Sequence, residues 1–286
     1  MRDACDFDYL IIGNSAGAVG CIECLRSVDQ EGTIGLVAEE DYRVYSRALL
    51  PYCLSGQIGR DKLYYRPLDF YDRAGVSVFK GQRAVKIDNQ ERLVNLTDRP
   101  RLGYGKLLIA AGGEPIRPPI PGIDKQNVYS FHSMPDLLGI EKELAVAKSA
   151  LVLGGGVIGL MAAEALHKRG IDVHVVELAD RLLASAVDET ASELVKDALE
   201  KAGVTLYLSS AVERVQGAER LQSVTLKDGR SIPCDLLIVG AGVAPRVELA
   251  EGTGIEVERG IVVNKKMQTT VPDIFACGDC ASIYNF

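Results

Sequence analysis

The stretch Leu151 to Glu177 reads LVLGGGVIGLMAAEALHKRGIDVHVVE and carries the clearest fold signal of the chain. An apolar run too short for a helix is followed by Gly154, Gly156 and Gly159, at the spacing of a dinucleotide-binding turn. An alanine-rich helical segment and a second apolar run then lead to an acidic residue, Glu177. This order predicts a strand, a tight turn, a helix and a second strand.

Each glycine of this turn has a mechanical role. Gly154 permits the tight turn, Gly156 leaves room for a pyrophosphate, and Gly159 lets the helix approach the strand. The helix N-terminus offers free N–H groups to the phosphates. Glu177 is expected to accept hydrogen bonds from a ribose diol, and its charge favours NAD over NADP. An ordinary strand–helix turn is the alternative, and the two strands, the helix and the terminal acid together favour a dinucleotide site.

A less regular copy of the motif lies near the N-terminus. An apolar run reaches Gly13, and the letters GNSAGA at positions 13–18 open a helical segment. Ser15 stands at the middle glycine position and adds a hydroxyl donor, while Ala18 is a small residue at the last position. The next strand ends at Glu39 and Glu40. Either could bind a ribose, and Glu39 is preferred because it is nearer the strand end.

The duplication extends beyond the turns. KLLIAAGGEP at 106–115 is matched by DLLIVGAGVAP at 235–245, and β-rich segments at 76–96 and 204–232 precede them. The pair Asp228-Gly229 marks a tight hairpin in the β-rich segment 204–232. The sequence therefore predicts an α/β protein with two Rossmann-like, doubly wound domains, each with a β-meander.

The second domain is predicted to be an insertion in the first. A Pro-rich crossing follows residue 115, and two short strands, at 260–264 and 273–276, follow the second domain. Returning this tail to the first domain gives boundaries of 1–116 and 244–286 for one domain and 117–243 for the other.

Composition excludes some functions. A net charge of −7 argues against nucleic-acid binding. The N-terminus lacks a secretory pattern and no apolar run approaches membrane-spanning length, so we expect a cytoplasmic protein without membrane contact. Seven cysteines, an odd number, fit reduced thiols.

Two dinucleotide turns in this order, an Ala-Gly turn closing each half and the late Gly278-Asp279 resemble the FAD-dependent pyridine nucleotide-disulfide oxidoreductase superfamily. The segments 45–47, 64–71 and 155–160 look most similar to its single-flavin NADH-dependent reductases. These include ferredoxin and rubredoxin reductases, nitrite reductase flavin modules and the flavoproteins associated with carbon monoxide dehydrogenase.

The resemblance implies that the first domain binds FAD and the inserted domain binds NADH, with NADPH less favoured. Hydride would then pass directly from the nicotinamide to the flavin, so no side chain is expected to be catalytic. The implied FAD residues are Gly13, Ser15, Ala16, Gly17, Glu39, Arg47, Val85, Ala111, Gly112, Gly278 and Asp279. The implied NAD residues are Gly154, Gly156, Val157, Ile158, Gly159, Glu177 and Gly242.

Departures from the family pattern are informative. Ala48 stands where disulfide reductases carry a reactive cysteine, so no thiol is expected to face the flavin. Tyr52 and Met161 stand where the reductases commonly carry a Lys and a Glu, and losing both avoids stranding one buried charge. Together with Val157, where an aromatic residue is common, they predict an apolar and open nicotinamide side.

Two C-x-x-C pairs, Cys21/Cys24 and Cys277/Cys280, have the spacing of metal or redox sites. Their positions behind the first turn and around the Gly-Asp favour packing, and no metal is expected. Cys53 is likewise expected to pack. The histidines at 132, 167 and 174 form no recognisable triad.

We therefore expect an FAD-dependent NAD(P)H oxidoreductase that passes electrons to a redox protein, such as rubredoxin, ferredoxin or a metalloenzyme. The alternatives are an NADH oxidase producing hydrogen peroxide and a non-catalytic NAD/FAD-binding module. Family members continue into an interface domain, and the full-length form is expected to be a homodimer. Here only residues 281–286 follow the Gly-Asp, scarcely the first turns of a helix, so we expect FAD to be weakly held or absent.

Overall fold

The computed structural model of the protein describes residues 5–98 and 101–283. These residues form two compact units, each built on a mainly parallel sheet. Unit 1 comprises residues 1–46, 64–114 and 244–286, and unit 2 comprises residues 47–63 and 115–243. The predicted α/β class with two doubly wound domains is confirmed.

Unit 1 is organised around a central parallel sheet. Its elements are β1 (Cys5–Ile12), α1 (Ala16–Val28), β2 (Ile34–Ala38), α3 (Phe70–Arg73), β3 (Val76–Lys80), β4 (Ala84–Asp88), β5 (Leu93–Leu96), β6 (Leu102–Ile109), β17 (Ile261–Val263), β18 (Ile274–Ala276) and β19 (Ala281–Ile283). The strand order is β3-β2-β1-β6-β5-β4, and β18 also pairs with β6. Every residue of β2 is buried, as expected for a parallel strand covered on both faces.

The tail of the chain returns to unit 1. Strand β18 pairs in parallel with β6, with Ile274 opposite Leu107 and Ala276 opposite Ile109. The expectation of a helix after the Gly-Asp is wrong for residues 281–283, because β19 pairs in parallel with β17. Residues 284–286 and the start of the chain, residues 1–4, lie outside the described residues.

Unit 2 repeats the plan with a separate antiparallel meander. Its elements are α2 (Leu50–Leu54), β8 (Val128–Ser130), α4 (Met134–Glu143), β9 (Ser149–Leu153), α5 (Val157–Lys168), β10 (Asp172–Val176), α6 (Glu189–Lys201), β11 (Thr205–Tyr207), β12 (Val212–Gln216), β13 (Ser223–Leu226), β14 (Ser231–Pro233) and β15 (Leu236–Val239). The parallel order is β11-β10-β9-β15-β8, and the meander is β12-β13-β14. Short strands β7 (Gly113–Pro115) and β16 (Val243–Pro245) lie where the chain passes between units.

Residues 47–63 belong to unit 2, whereas the sequence placed them in the first domain. The segment buries Leu50, Leu54 and Leu63. Arg169, at the end of α5, donates from Nη1 to the Leu54 carbonyl oxygen at 3.0 Å. The segment follows the first domain along the chain, which is why the sequence assigns it there. In the structure its apolar face packs against helices α4 and α5 of unit 2.

Candidate functional site

The turn between β1 and α1 in unit 1 is shaped by backbone contacts. Gly13 has φ +109°, and a Cβ built on it would lie 2.0 Å from the Ala110 carbonyl oxygen. Ser15 is the N-cap of α1, and its hydroxyl makes no capping hydrogen bond within the described chain. The free N–H groups of the first helical turn and this hydroxyl together form an arrangement suited to an anion.

The tail brings a second loop to the same turn. A Cβ on Gly17 would lie 2.6 Å from the Cys277 Sγ atom, so the helix and the tail are in contact. Gly278 has φ +79°, with open space where its Cβ would be. Asp279 is exposed. The structure thus places the Gly278-Asp279 pair beside the N-terminal part of α1, which only the pairing of β18 with β6 makes possible.

Two further predicted residues follow β6. Gly112 has φ +72°, with no heavy atom within 4 Å of the position of its Cβ. Ala111, partly buried, packs on the unit 1 core. The Gly112 carbonyl oxygen accepts a hydrogen bond from the backbone N–H of Arg246 at 3.0 Å. The open face of Gly112 can therefore approach a flat ligand closely.

The two acids after β2 have different surroundings. Glu40 accepts a hydrogen bond from the Tyr45 hydroxyl at 2.7 Å. Glu39 accepts one from Arg246 Nη1 at 2.6 Å, and Arg83 Nη1 lies 3.8 Å from its other oxygen. The Glu39 side chain is 44% exposed. Glu39 therefore lies beside two guanidinium groups at the edge of the sheet.

Two residues that the resemblance assigns to FAD lie in different units. Val85, on β4 of unit 1, is exposed. Arg47 belongs to unit 2, where its Nη1 donates to the His132 carbonyl oxygen at 2.7 Å. The unit that contains the Gly13 turn therefore does not contain Arg47.

The turn between β9 and α5 in unit 2 is also shaped by close backbone contacts. Gly154 has φ +113°, and its Cβ would lie 2.4 Å from the Gly240 carbonyl oxygen. A Cβ on Gly159 would lie 2.0 Å from the Gly154 carbonyl oxygen. Gly156, in contrast, faces open space. Gly154 and Gly159 thus make the close backbone approaches that the sequence predicts for the turn and the helix, and Gly156 leaves open space at the helix N-terminus.

A cavity of about 220 Å³ opens at this turn, within unit 2. Its lining is apolar apart from backbone groups and one imidazole, and consists of Pro115, Phe131, His132, Gly156, Val157, Ile158, Val239, Gly240, Gly242 and Val243. The structure thus brings four of the predicted NAD residues together. His132 also lines the cavity, and no local pattern in the sequence signals this position.

Glu177 contacts the backbone of its own turn. Its carboxylate accepts a short hydrogen bond from the Gly155 N–H and another from the Ala179 N–H at 2.7 Å. A carboxylate can accept about four hydrogen bonds, so two acceptor positions remain for a ribose. The acid therefore fixes the turn before any ligand is bound.

Most of the cysteines that the structure describes are buried or partly buried, and Cys24 is exposed. Burial raises the pKa of Cys21 to about 11 and that of Cys234 to about 12. The buried Cys280 thiol donates to the Ile109 and Cys277 carbonyl oxygens. Thiols held in the neutral form are poor nucleophiles and metal ligands. In the described ranges, no three His, Cys, Asp or Glu side chains come together as a metal site.

The positions that depart from the family pattern lie in unit 2. Ala48 is in a single 3-10 turn, Arg47–Leu49, and Tyr52 lies on α2 and is exposed. Met161 is on α5, one turn after the exposed Val157. Cys53 is buried, and burial raises the pKa of its thiol.

A family model described as "Pyridine nucleotide-disulphide oxidoreductase" matches residues 7–286, and the chain belongs to this family. The rubredoxin-NAD(+) reductase of Pseudomonas putida is 32% identical over 278 residues, which are 96% of this chain and 72% of that protein. The epsilon subunit of the NADH-dependent phenylglyoxylate dehydrogenase of Aromatoleum evansii is 35% identical, over 94% of this chain and 64% of that protein.

Solved structures agree on the fold. A ferredoxin reductase from Rhodopseudomonas palustris superposes with a TM-score of 0.91 at 29% identity, over 96% of this chain and 69% of that chain. Several relatives are much longer, and this chain spans 35% of the assimilatory nitrate reductase electron transfer subunit of Bacillus subtilis. Across the described residues, no helix is both long and apolar enough to span a membrane.

Proposed function

We propose that this chain is the nucleotide-binding core of an NADH-dependent flavoprotein oxidoreductase. The observation that carries the proposal is the presence of two strand–turn–helix sites, one in each unit, each with an acid after the second strand. One site is assigned to FAD and the other to NADH. We place this core in the cytoplasm, within a homodimeric full-length protein.

Unit 1 offers the features that FAD requires. Gly112 and Gly278 leave open space where side chains would stand, and Ser15 and the α1 N-terminus present donors for a pyrophosphate. A buried donor, Arg246 Nε, has no acceptor among the described residues. Bound FAD would supply the chemistry of accepting a hydride and releasing single electrons. The proposed contacts are those of Gly13, Ser15, Ala16, Gly17, Glu39, Val85, Ala111, Gly112, Gly278 and Asp279.

Unit 2 offers the features that NADH requires. Gly156 and the N-terminus of α5 would bind the pyrophosphate, and Glu177 would accept hydrogen bonds from the adenosine ribose. Val157, Ile158 and Gly242 line an apolar cavity that suits a nicotinamide ring. The carboxylate of Glu177 would repel a 2′-phosphate, which supports NADH rather than NADPH.

A small redox protein is the proposed electron acceptor. Similarity to the P. putida rubredoxin-NAD(+) reductase and to the Rhodococcus erythropolis rhodocoxin reductase supports this class. Ala48, at the position of the reactive cysteine, supports transfer without a protein disulfide. A rubredoxin, a ferredoxin or a metalloenzyme partner would fit the same chemistry.

The test is anaerobic titration of the purified chain reconstituted with FAD. The expected result is bleaching of the flavin absorbance by one equivalent of NADH, with slower bleaching by NADPH. Reoxidation by rubredoxin or ferredoxin in stopped flow is expected to be faster than reoxidation by oxygen. Failure of both nicotinamide nucleotides to bleach the flavin would refute the proposal.

An oxidase is the second candidate. A relative named NADH oxidase, from Methanocaldococcus jannaschii, is 31% identical over 97% of this chain. The exposed Val157 and the small cavity beside it leave room for oxygen. This candidate predicts that oxygen reoxidises the flavin faster than any redox protein and that hydrogen peroxide accumulates.

A further inference from the structure

Arg246 lies at the carboxyl edge of the unit 1 sheet, and neither the sequence motifs nor the family resemblance assigns it a role. It lies immediately after β16, at the point where the chain re-enters unit 1. Its backbone N–H donates to the Gly112 carbonyl oxygen at 3.0 Å. The start of the side chain is therefore held beside the open face of Gly112.

The guanidinium of Arg246 is only partly used. Nη1 donates to Glu39 at 2.6 Å, and the side chain is 27% exposed. Nε is buried and has no acceptor in the described part of the chain. A buried N–H without an acceptor is unfavourable, so an acceptor supplied by a ligand at this position would stabilise the complex.

The carboxylate of Glu39 lies between two guanidinium groups. Arg246 occupies one carboxylate oxygen, while Arg83 is 3.8 Å from the other. The second oxygen is therefore left for a ribose hydroxyl, and the cationic neighbours suit the adjacent phosphates.

We propose that Arg246 is a positioning and binding residue for the adenosine half of FAD. It fixes Glu39 through Nη1 and donates from Nε to an oxygen of the cofactor's adenosine ribose or phosphate. This inference rests on the proposed function, because it requires that unit 1 binds FAD.

The experiment measures FAD affinity of the flavin-free full chain by quenching of flavin fluorescence. Arg246→Ala is expected to weaken FAD binding about tenfold, the loss of a charge-assisted hydrogen bond. Arg246→Lys keeps a cation near Glu39 and lacks the Nε donor. It is therefore expected to keep the melting temperature of the wild-type protein while binding FAD as weakly as Arg246→Ala.

The matched control is Arg92→Ala. Arg92 also pairs with a carboxylate of unit 1, Asp273, at 2.6 Å, and lies outside the proposed site. It is expected to leave FAD affinity within about twofold of wild type.

Two results would overturn the inference alone: FAD affinity of Arg246→Ala equal to that of Arg92→Ala, or of Arg246→Lys equal to wild type. Absence of FAD binding by the wild-type chain would instead overturn the proposed function, and this inference with it.

Discussion

The two glycine turns of this chain differ most at their third small residue. In unit 2 this residue is Gly159, where a Cβ would lie 2.0 Å from the Gly154 carbonyl oxygen. In unit 1 it is Ala18, which is fully buried with its Cβ in place. The first helix thus stands far enough from its strand to accept a methyl group, whereas the second does not. The same motif therefore tolerates variation only where the helix–strand distance allows it.

The largest expected effect tests this difference directly. Gly159→Ala places a methyl group against backbone that cannot move freely, and should destabilise the protein by about 2–4 kcal/mol and abolish NADH binding. Ala18→Gly should cost only about 1 kcal/mol and spare NADH binding. Thermal unfolding and NADH titration of both variants measure the contrast, and equal losses would show that the two turns do not differ in packing.

The ribose acids provide the second contrast. Glu177 is bound by backbone N–H groups and Glu39 by arginines. Glu177→Gln removes charge-assisted hydrogen bonds of about 1.5–3 kcal/mol, so NADH affinity should fall at least tenfold and the preference over NADPH should narrow. Glu39→Gln should lower FAD affinity with a smaller effect on stability, because its ion pair is half-exposed. An unchanged NADH/NADPH ratio in Glu177→Gln would contradict the assignment.

Buried thiols distinguish the units at alkaline pH. Because burial raises the pKa of Cys234 to about 12 from 9.0, the unfolded state loses this proton first as pH rises. Deprotonation of this thiol therefore leaves the free energy of unfolding unchanged below pH 9 and lowers it by about 1.4 kcal/mol per pH unit as the pH approaches 12.

Burial raises the pKa of Cys21 in unit 1 to about 11, so its effect on the free energy of unfolding is confined to the pH range between about 9 and 11. Denaturant unfolding at several pH values above 8 should show a shallower alkaline decline for Cys234→Ala than for wild type. A Cys21→Ala variant is the comparison, and should flatten the curve over a narrower pH range. Parallel curves for all three proteins would contradict the prediction.

The smallest effect concerns two aspartates that each precede a sheet strand. Asp235, before β15, accepts hydrogen bonds from the backbone of Lys148 and Ser149, whereas Asp273, before β18, pairs with Lys106 and Arg92. These contacts lower the pKa of both carboxyl groups. Their stabilisation is present above the unfolded pKa near 3.8 and is lost as pH falls through the lower folded values.

Asp235→Asn should cost about 1 kcal/mol, because two backbone donors lose a charged acceptor. Asp273→Asn should cost less, because exposed ion pairs contribute little and are screened by salt. Urea unfolding at pH 7 in low and high salt separates the two, with only Asp273→Asn expected to depend on salt. A larger loss for Asp273→Asn would reverse the comparison.

The amino-acid sequence alone predicts the fold class, the two turns and the strands and helices that flank them. The information is local: glycine at positive φ, small residues at fixed spacing and apolar runs of strand length act within a few residues of one another. Gly13 and Gly154 show this, since both abut a carbonyl oxygen at the end of the neighbouring strand as the motif requires.

The folded structure is needed to show which distant side chains meet. It placed residues 47–63 in unit 2, His132 at the cavity, and Arg246 on Glu39, more than two hundred positions along the chain. These contacts arise because parallel strands end at a common edge, where loops from remote parts of the chain converge. Their energies depend on burial and distance in the assembled sheet, and no local pattern encodes either quantity.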